Sequence, residues 1–501
     1  MPLRGRPVVC MRPDSPLEFP GSRQAPPSRL APWGVGTIGG MLLTGPRARL
    51  ARRWLAGLVL LIVSACAAIA IALQVTPPQT VTVAGQVIQV GATEPTLSLS
   101  GPGEVDLFGQ ALPTDQQFSG PVRPRLQLSQ ISINTELTTF IEGNNPASAE
   151  RILGTQLADG WKRYFGWEIA LAGVGALILA GAVAGWRRLP YRSTLKLLAA
   201  GLAVTEAINL GAIMTTAYSA PSLLRQVRSL NDLVGTSTAP PRIQPTGKAL
   251  PGVQVVVIGD STAAGAGLPS LPGASAPTRA CGRSTDAYAE DLSTADGWRV
   301  LNLACDSATI AHGLLDPQTR DGEQLPPQLA EAEQAKHASV IIVSVGADDL
   351  DWAAMVRYCG TVPRCDDRAT TAYFQQQLAS FSKNYLDLLS RLAALPNHPQ
   401  VIINRYYDQF GTEPECLSQG GLTDTNLQTL TSRLNTLNDV LAKGAAQFGF
   451  SSPQPDFAGH QLCTQQPYVQ GLDDTAPFHP TAAGQLAIAL TDQAVLHPPG
   501  T

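Results

Sequence analysis

Three long stretches of the chain are almost entirely apolar. Trp54–Leu73 contains 20 residues without a charge, enough to cross a hydrocarbon core of about 30 Å. Ile169–Trp186 is a second uncharged stretch, and Leu197–Tyr218 is a third that is interrupted only by Glu206. Core helices rarely run this far without a charge. The pattern predicts transmembrane helices at 54–73, 167–186 and 197–218, in which Glu206 is either a functional acid or an interhelical contact.

Basic residues flank these stretches on one side. Arg47, Arg49, Arg52 and Arg53 precede the first, and Arg187, Arg188, Arg192 and Lys196 separate the second from the third. Positive charges favour the cytoplasmic side. We therefore expect a plasma-membrane protein with a cytoplasmic N-terminus, and with residues 74–166 and everything after residue 218 outside. Residues 63–66 resemble a lipoprotein cleavage box, but the apolar run continues beyond Cys66, which favours an uncleaved anchor.

Two segments in the first half of the chain differ from the apolar stretches in their composition and periodicity. Residues 1–46 are rich in Pro and Arg without periodicity, which predicts a disordered leader, or none if translation starts at Met41. Residues 74–166 contain period-two segments, typical of a half-buried antiparallel sheet, followed by a helix at 147–164. We expect a small β-rich exterior domain that is a binding module or a spacer. The predicted strands are 80–83, 87–90, 96–99 and 126–133.

Beyond a Pro/Gly/Thr linker at 235–251, short β-branched runs alternate with helical stretches. Such alternation predicts a parallel sheet covered by helices, and ligands of such sheets bind beyond the carboxyl ends of the strands. We expect one domain at 252–501. Its predicted strands are 253–258, 299–304, 339–345 and 400–404, and its predicted helices include 327–336, 371–394 and 423–447.

Composition narrows the choice of function. The net charge of −4 combines +7 in residues 1–53 with −11 in the remainder, which excludes a generally basic nucleic-acid binder. Six of eight cysteines lie in the predicted domain at 252–501, on the expected exterior side, where an even number favours disulfides over a zinc site. Of the 15 possible pairings, the sequential one closes the shortest loops. It pairs Cys281 with Cys305, Cys359 with Cys365, and Cys416 with Cys463.

Residues 255–267 read VVVIGDSTAAGAG, a buried strand followed by Asp260 and Ser261 on a turn. A serine there exposes its hydroxyl near a helix N-terminus, although Asp and Ser are also common helix caps. His479 lies in FHPTAAG near the end of the same domain. A serine needs a neighbouring base to act as a nucleophile near neutral pH, and an imidazole suits that role. Together the two blocks favour catalysis.

These blocks resemble the SGNH/GDSL hydrolase family over about residues 252–495, and the cysteine arrangement resembles three-disulfide secreted esterases and lipases of actinobacteria. The resemblance implies a flavodoxin-like α/β/α sandwich, hydrolysis of acyl esters without metal or cofactor, Ser261 as nucleophile and His479 as base. Ser307 falls on the position of an oxyanion-binding glycine. Gly346 matches the third family block, G-x-N-D, but Asp348 replaces its Asn and can donate a hydrogen bond only when protonated.

A further departure concerns the acid, because the residue three before His479 is Ala476. Either Asp474 orients His479 from a longer loop, or the Ala476 carbonyl does. Asp260, Tyr406 and Tyr407 are pocket candidates, the tyrosines being equally compatible with packing, and His460 is interpreted as structural.

The leading hypothesis is a membrane-anchored exterior serine esterase or lipase that acts on acylated small molecules, lipids or envelope glycans. An O-acyltransferase using the same site is an alternative. A catalytically impaired binding or scaffold protein is another, favoured by the Asn-to-Asp change at Asp348.

Overall fold

The computed structural model describes residues 46–83, 86–96, 98, 100–130, 146–224, 252–411, 415–418 and 420–497. The predicted leader at 1–46, apart from its last residue, and the predicted linker at 235–251 lie outside this range. Residues 59–501 form one compact unit, and residues 46–58 are the first part of helix α1.

Three helices are long and apolar enough to cross a membrane: α1 (Pro46–Val75), α2 (Pro146–Trp186) and α3 (Tyr191–Leu224). Their apolar stretches are Leu55–Val75, Thr155–Trp186 and Tyr191–Thr216, which include the predicted spans apart from their outermost residues. The expected helix at 147–164 is continuous with the second span. Between α2 and α3, the amide of Asn209 donates to a Glu168 carboxylate oxygen at 2.8 Å.

The segment between α1 and α2 folds as a five-stranded sheet with strand order β1-β2-β5-β3-β4. Its pairing is antiparallel, as predicted, except between β3 and β5, which are parallel. Thr96 and Ser98 lie outside any strand, which corrects the strand predicted at 96–99. The hairpin of β3 and β4 was missed. The strands are β1 (Gln79–Val83), β2 (Gln86–Ala92), β3 (Ser100–Leu107), β4 (Gln110–Ser119) and β5 (Pro124–Gln130).

The C-terminal region contains the predicted parallel sheet, with strand order β11-β10-β6-β7. Every residue of β6 and β10 is buried, as expected for central strands covered on both faces. A two-stranded antiparallel hairpin, β8–β9, lies apart from this sheet. The strands are β6 (Val255–Gly259), β7 (Val300–Asn302), β8 (Gln318–Arg320), β9 (Glu323–Leu325), β10 (Val340–Ser344) and β11 (Gln400–Ile403).

Helices of very different length surround this sheet. The predicted helix at 327–336 is reduced to five residues, whereas the two long helices predicted at 371–394 and 423–447 are found within three residues of their expected ends. The helices are α4 (Ser261–Ala264), α5 (Ala276–Ala280), α6 (Tyr288–Asp296), α7 (Gln328–Ala332), α8 (Trp352–Thr361), α9 (Arg368–Ala393), α10 (Glu415–Ser418), α11 (Asp424–Gln447) and α12 (Ala482–Leu496).

Two of the three predicted disulfides are confirmed, Cys281–Cys305 and Cys359–Cys365. Cys463 is also disulfide-bonded, but the side chain of its predicted partner, Cys416, lies outside the described residues. Cys281–Cys305 joins the segments that follow the neighbouring strands β6 and β7, whereas Cys359–Cys365 closes a short loop between α8 and α9, after β10.

Candidate active site

The candidate nucleophile sits on the turn that leaves the central strand β6. Asp260 caps the four-residue helix α4 by accepting from the Thr262 N–H at 3.0 Å, and Gly265 ends that helix with φ of 80°. Ser261 is thereby the first residue of a very short helix. Its side chain is held at the carboxyl edge of the sheet, where open α/β folds bind their ligands.

His479 lies next to this serine in space, although the two are 218 residues apart in the sequence. Its Nε2 lies 2.8 Å from Ser261 Oγ, and its Nδ1 lies 3.2 Å from the Pro477 carbonyl oxygen. A carbonyl can only accept, so this contact places the imidazole proton on Nδ1 and leaves Nε2 to accept from the serine hydroxyl. The pair has the geometry required for proton transfer from Ser261 to His479.

The orienting group differs from both predicted arrangements. Asp474 is exposed and accepts from the Gly471 N–H at 2.6 Å, which shapes its own turn. The Ala476 carbonyl accepts from the backbone N–H of His479 rather than from the ring. The Pro477 carbonyl instead takes the position beside Nδ1, because Phe478 has a φ of 70° that turns the chain sharply before His479.

The predicted oxyanion residues lie on the loops after β7 and β10. Ser307 has a φ of 62°, a left-handed conformation that costs a non-glycine residue on the order of 1 kcal/mol. Its hydroxyl accepts from Arg320 at 2.8 Å, and Arg320 also forms an ion pair with Asp306. Ser307 therefore has a backbone conformation that glycine adopts most easily. Its hydroxyl is held in place by Arg320, which is itself paired with Asp306.

The loop after β10 carries Gly346, Asp348 and Asp349. Gly346 has a φ of 132° and is buried. Asp349 accepts from the Ile310 N–H through both carboxylate oxygens, at 3.1 and 3.2 Å, which ties this loop to the loop after β7. One oxygen of Asp348 is buried without a hydrogen-bond partner in the described part of the chain. An unpartnered buried carboxylate strongly favours the protonated form.

Three carboxyl groups at this edge have raised pKa values, mainly because burial disfavours their charged forms. Burial, followed by the charges of Asp260 and Asp306, raises the pKa of Asp348 to about 8, against a smaller opposing effect of Arg320. Burial also raises the pKa values of Asp260 and Asp349 to about 7. These raised pKa values favour the neutral form of Asp348 near pH 7.

Tyr406 and Tyr407 border a small cavity together with Thr262 and Ser344, and both are also packed into the protein. Both are at least 96% buried. Tyr406 donates to the Asp260 carboxylate and accepts from the Ala347 N–H at 2.9 Å, and Tyr407 donates to the Phe478 carbonyl at 2.9 Å. Through these hydrogen bonds the two tyrosines connect the turn that carries Ser261, the loop after β10 and the loop that carries His479.

Three buried glutamines, which the sequence analysis missed, complete this bracing. Gln328 both accepts from and donates to the backbone of Gly259, at 2.7 and 3.0 Å. Gln470 donates to the carbonyls of Ala266 and Pro480, and Gln485 donates to the Thr262 carbonyl. The sequence pattern does not reveal these glutamines, because most of their backbone partners lie more than 60 residues away in the chain.

His460 lies apart from the catalytic pair. Its ring stacks on Tyr468 with centroids 3.9 Å apart, and its Nδ1 donates to the Gln466 carbonyl at 2.8 Å. These contacts agree with the structural interpretation. Among the described residues, no group of three His, Cys, Asp or Glu side chains is arranged to hold a metal ion.

Comparison with known proteins finds a family match in the C-terminal region. Residues 257–487 match the GDSL-like Lipase/Acylhydrolase family, and this segment includes both Ser261 and His479. The C-terminal region is a GDSL-like lipase/acylhydrolase domain. The predicted resemblance is thereby confirmed, and with it the predicted class of enzyme, a carboxylic ester hydrolase.

Individual relatives of the GDSL domain are lipases of Streptomyces. A lipase of Streptomyces rimosus is 29% identical over 267 residues, which cover 50% of this chain and 88% of that lipase. Lipase 1 of Streptomyces coelicolor is 29% identical over 242 residues, covering 46% of this chain and 81% of the relative. A solved structure of the extracellular lipase from Streptomyces rimosus is 20% identical, covers 48% of this chain and 99% of that one, and superposes with a TM-score of 0.37.

Proposed function

We propose that the GDSL domain hydrolyses acyl esters through an acyl-enzyme formed on Ser261. The observation that carries this proposal is the 2.8 Å contact between Ser261 Oγ and His479 Nε2. His479 takes the serine proton as Oγ attacks the ester carbonyl, then gives that proton to the departing alcohol. A water molecule, deprotonated by the same imidazole, releases the acid and restores the serine.

Three donors are available for the oxyanion of the tetrahedral intermediate. Two are the backbone N–H groups of Ser261 and Ser307, and the third is the carboxyl O–H of Asp348 in its protonated form. The raised pKa of Asp348 supports this third role, because a neutral carboxyl group donates as the family asparagine would. The same donor role would answer the main ground for interpreting the chain as an impaired binding or scaffold protein, the Asn-to-Asp change at Asp348.

We place this site outside the plasma membrane, anchored by α1, α2 and α3. Large apolar side chains on these helices, such as Leu58, Val63 and Ile178, are more than half exposed, as expected for helices that face lipid. The basic loop between α2 and α3 favours the cytoplasm, and the two disulfides of the GDSL domain suit an oxidising exterior. This location favours acylated lipids or glycans of the cell envelope as substrates.

A membrane-impermeant fluorophosphonate probe tests nucleophile and placement together. We expect intact cells that produce the full chain to yield labelled protein, with the phosphonate on Ser261 in the tryptic peptide map, because the His479 imidazole activates this serine. The Ser261→Ala chain should remain unlabelled. Labelling that requires cell lysis would contradict the exterior placement, and labelling at another serine would contradict the assigned nucleophile.

Asp474→Asn should leave kcat close to the wild-type value. In a serine hydrolase whose aspartate orients the histidine, the same change costs about 10⁴ in kcat, but here the Pro477 carbonyl contacts Nδ1 and Asp474 contacts Gly471. The measurement is steady-state hydrolysis of p-nitrophenyl butyrate by the full chain in detergent. Asp473→Asn, at the exposed neighbouring position, is the matched control. A large loss confined to Asp474→Asn would show that the loop rearranges to form a triad.

A further inference from the structure

The tip of the β3–β4 hairpin is buried against the GDSL domain. Hairpin tips are usually exposed and polar, yet Phe108 at this tip is only 1% exposed and has a φ of 56°. Its ring meets Tyr385 of α9 edge-on, with centroids 5.5 Å apart. At the next residue, Gly109, an added Cβ would lie 2.8 Å from Lys443 Nζ on α11. The membrane-proximal sheet therefore inserts one aromatic ring beside the two long helices of the GDSL domain.

From this contact, continuous packing leads to the oxyanion loop. Tyr385 stacks on Phe381 with centroids 5.4 Å apart, and its hydroxyl donates to the Leu441 carbonyl at 2.9 Å. Phe381 in turn covers Gly346, since an added Cβ at Gly346 would lie 3.3 Å from Phe381 Cε2. Both rings are fully buried. A single row of aromatic side chains thus connects the hairpin tip with the backbone of Gly346.

We propose that Phe108 is a positioning residue for the oxyanion loop, the loop after β10 that carries Gly346 and Asp348. The five-stranded sheet would then contribute to catalysis by the GDSL domain. The proposal rests on the proposed function. Close-packed interiors transmit displacements, since few voids exist to absorb them. Without the Phe108 ring, Tyr385 and Phe381 have space to shift, and Gly346 loses the surface that fixes its unusual backbone conformation. Asp348, two residues further on, would then lose both its position and the burial that keeps it protonated.

The test compares Phe108→Ala with Phe118→Ala in the full chain, assayed in detergent with p-nitrophenyl butyrate. Phe118 is also buried in this sheet, at 2% exposed, but it packs against Gly103 of the same sheet. We expect Phe108→Ala to lower kcat roughly ten- to hundredfold with little change in KM, as for a small misplacement of catalytic groups. We also expect its activity to decline at a lower pH than that of the wild type. Phe118→Ala should keep the wild-type kcat and pH profile.

Activities are normalised to the folded fraction, measured by thermal melting. If Phe108→Ala does not fold, the milder Phe108→Leu is expected to show the same changes at smaller size. A wild-type kcat and pH profile in the folded Phe108 variant would overturn the proposal, and so would equal losses in the Phe108 and Phe118 variants. Absence of turnover in the wild-type chain would overturn the proposed function and this inference with it, so the two failures are distinguishable.

Discussion

Ser261→Ala is expected to lower hydrolysis of p-nitrophenyl acetate and butyrate by on the order of 10⁴–10⁶ in kcat. Alanine lacks the hydroxyl that forms the acyl-enzyme, and His479 is then left without its only reacting partner. The backbone donors at Ser261 and Ser307 remain, so a small residual acceleration over water should persist. The full chain in detergent should be used, because the GDSL domain packs against the β3–β4 hairpin through Phe108.

The matched control for this change is Ser390→Ala. Ser390 is an exposed serine on α9 that donates to the Leu386 carbonyl at 2.7 Å, far from the catalytic pair in the sequence and on a different element. We expect it to keep wild-type turnover, and both variants to melt close to the wild-type temperature. Equal turnover by Ser261→Ala and wild type, with both folded, would show that any observed hydrolysis does not depend on this serine.

The catalytic pair could be predicted from the sequence because strand topology alone brings it together. A buried strand that ends in Gly-Asp-Ser places the serine at the carboxyl edge of a parallel sheet, whatever the details of the helices. His479 follows at the start of the last helix, whose N-terminal cap is Thr481. Such placement depends on the order of elements, which periodicity reveals, and little on the conformation of any single loop.

The partner of His479 could not be predicted, because it is set by one backbone angle. Phe478 adopts a φ of 70°, which bulky residues rarely do, and this turn brings the Pro477 carbonyl under the imidazole. Neither the residue type nor the spacing from Asp474 signals that conformation. Similarly, the strain at Ser307 is accommodated by Arg320, which lies 13 residues further on in a short hairpin that the sequence pattern did not indicate.

The β3–β4 hairpin was missed for a different reason. Gly101, Pro102 and Gly103 occupy β3, and Pro113 lies in β4, residues that usually argue against a strand. The two strands are nevertheless paired, with a register shift between Pro102 and Glu104. Packing of Phe108 against α9 is a tertiary interaction between segments 277 residues apart, a separation at which local patterns carry no information.

Asp348 is expected to give the esterase an alkaline limit that asparagine at the same position would remove. With its pKa at about 8, Asp348 donates to the oxyanion below that pH and loses its proton above it. The activity of the wild type should therefore be highest below pH 8 and fall about tenfold for each further pH unit, until the full contribution of one oxyanion donor, about 10²–10³, is lost.

Two substitutions separate the donor from the charge. Asp348→Asn supplies an amide N–H at every pH, so its kcat/KM should remain high and show no decline between pH 7 and pH 9.5. Asp348→Ala supplies no donor and no charge, so it should be lower by about 10²–10³ at pH 7, again without the decline. The profiles are measured with p-nitrophenyl butyrate, with spontaneous hydrolysis subtracted and melting temperatures recorded at each pH.

The order of the three proteins is what identifies the mechanism. At pH 7 we expect Asp348→Asn to match the wild type and Asp348→Ala to be far below both, whereas at pH 9.5 the wild type should approach Asp348→Ala. An Asp348→Asn chain as inactive as Asp348→Ala would show that Asp348 does not act by donating a hydrogen bond. A wild-type profile that stays level to pH 9.5 would show that its carboxyl group loses no catalytically required proton in this range. In the expected case, an aspartate kept neutral by burial and by the charges of Asp260 and Asp306 does the work of the family asparagine, and the enzyme acquires a pH dependence that the asparagine would not confer.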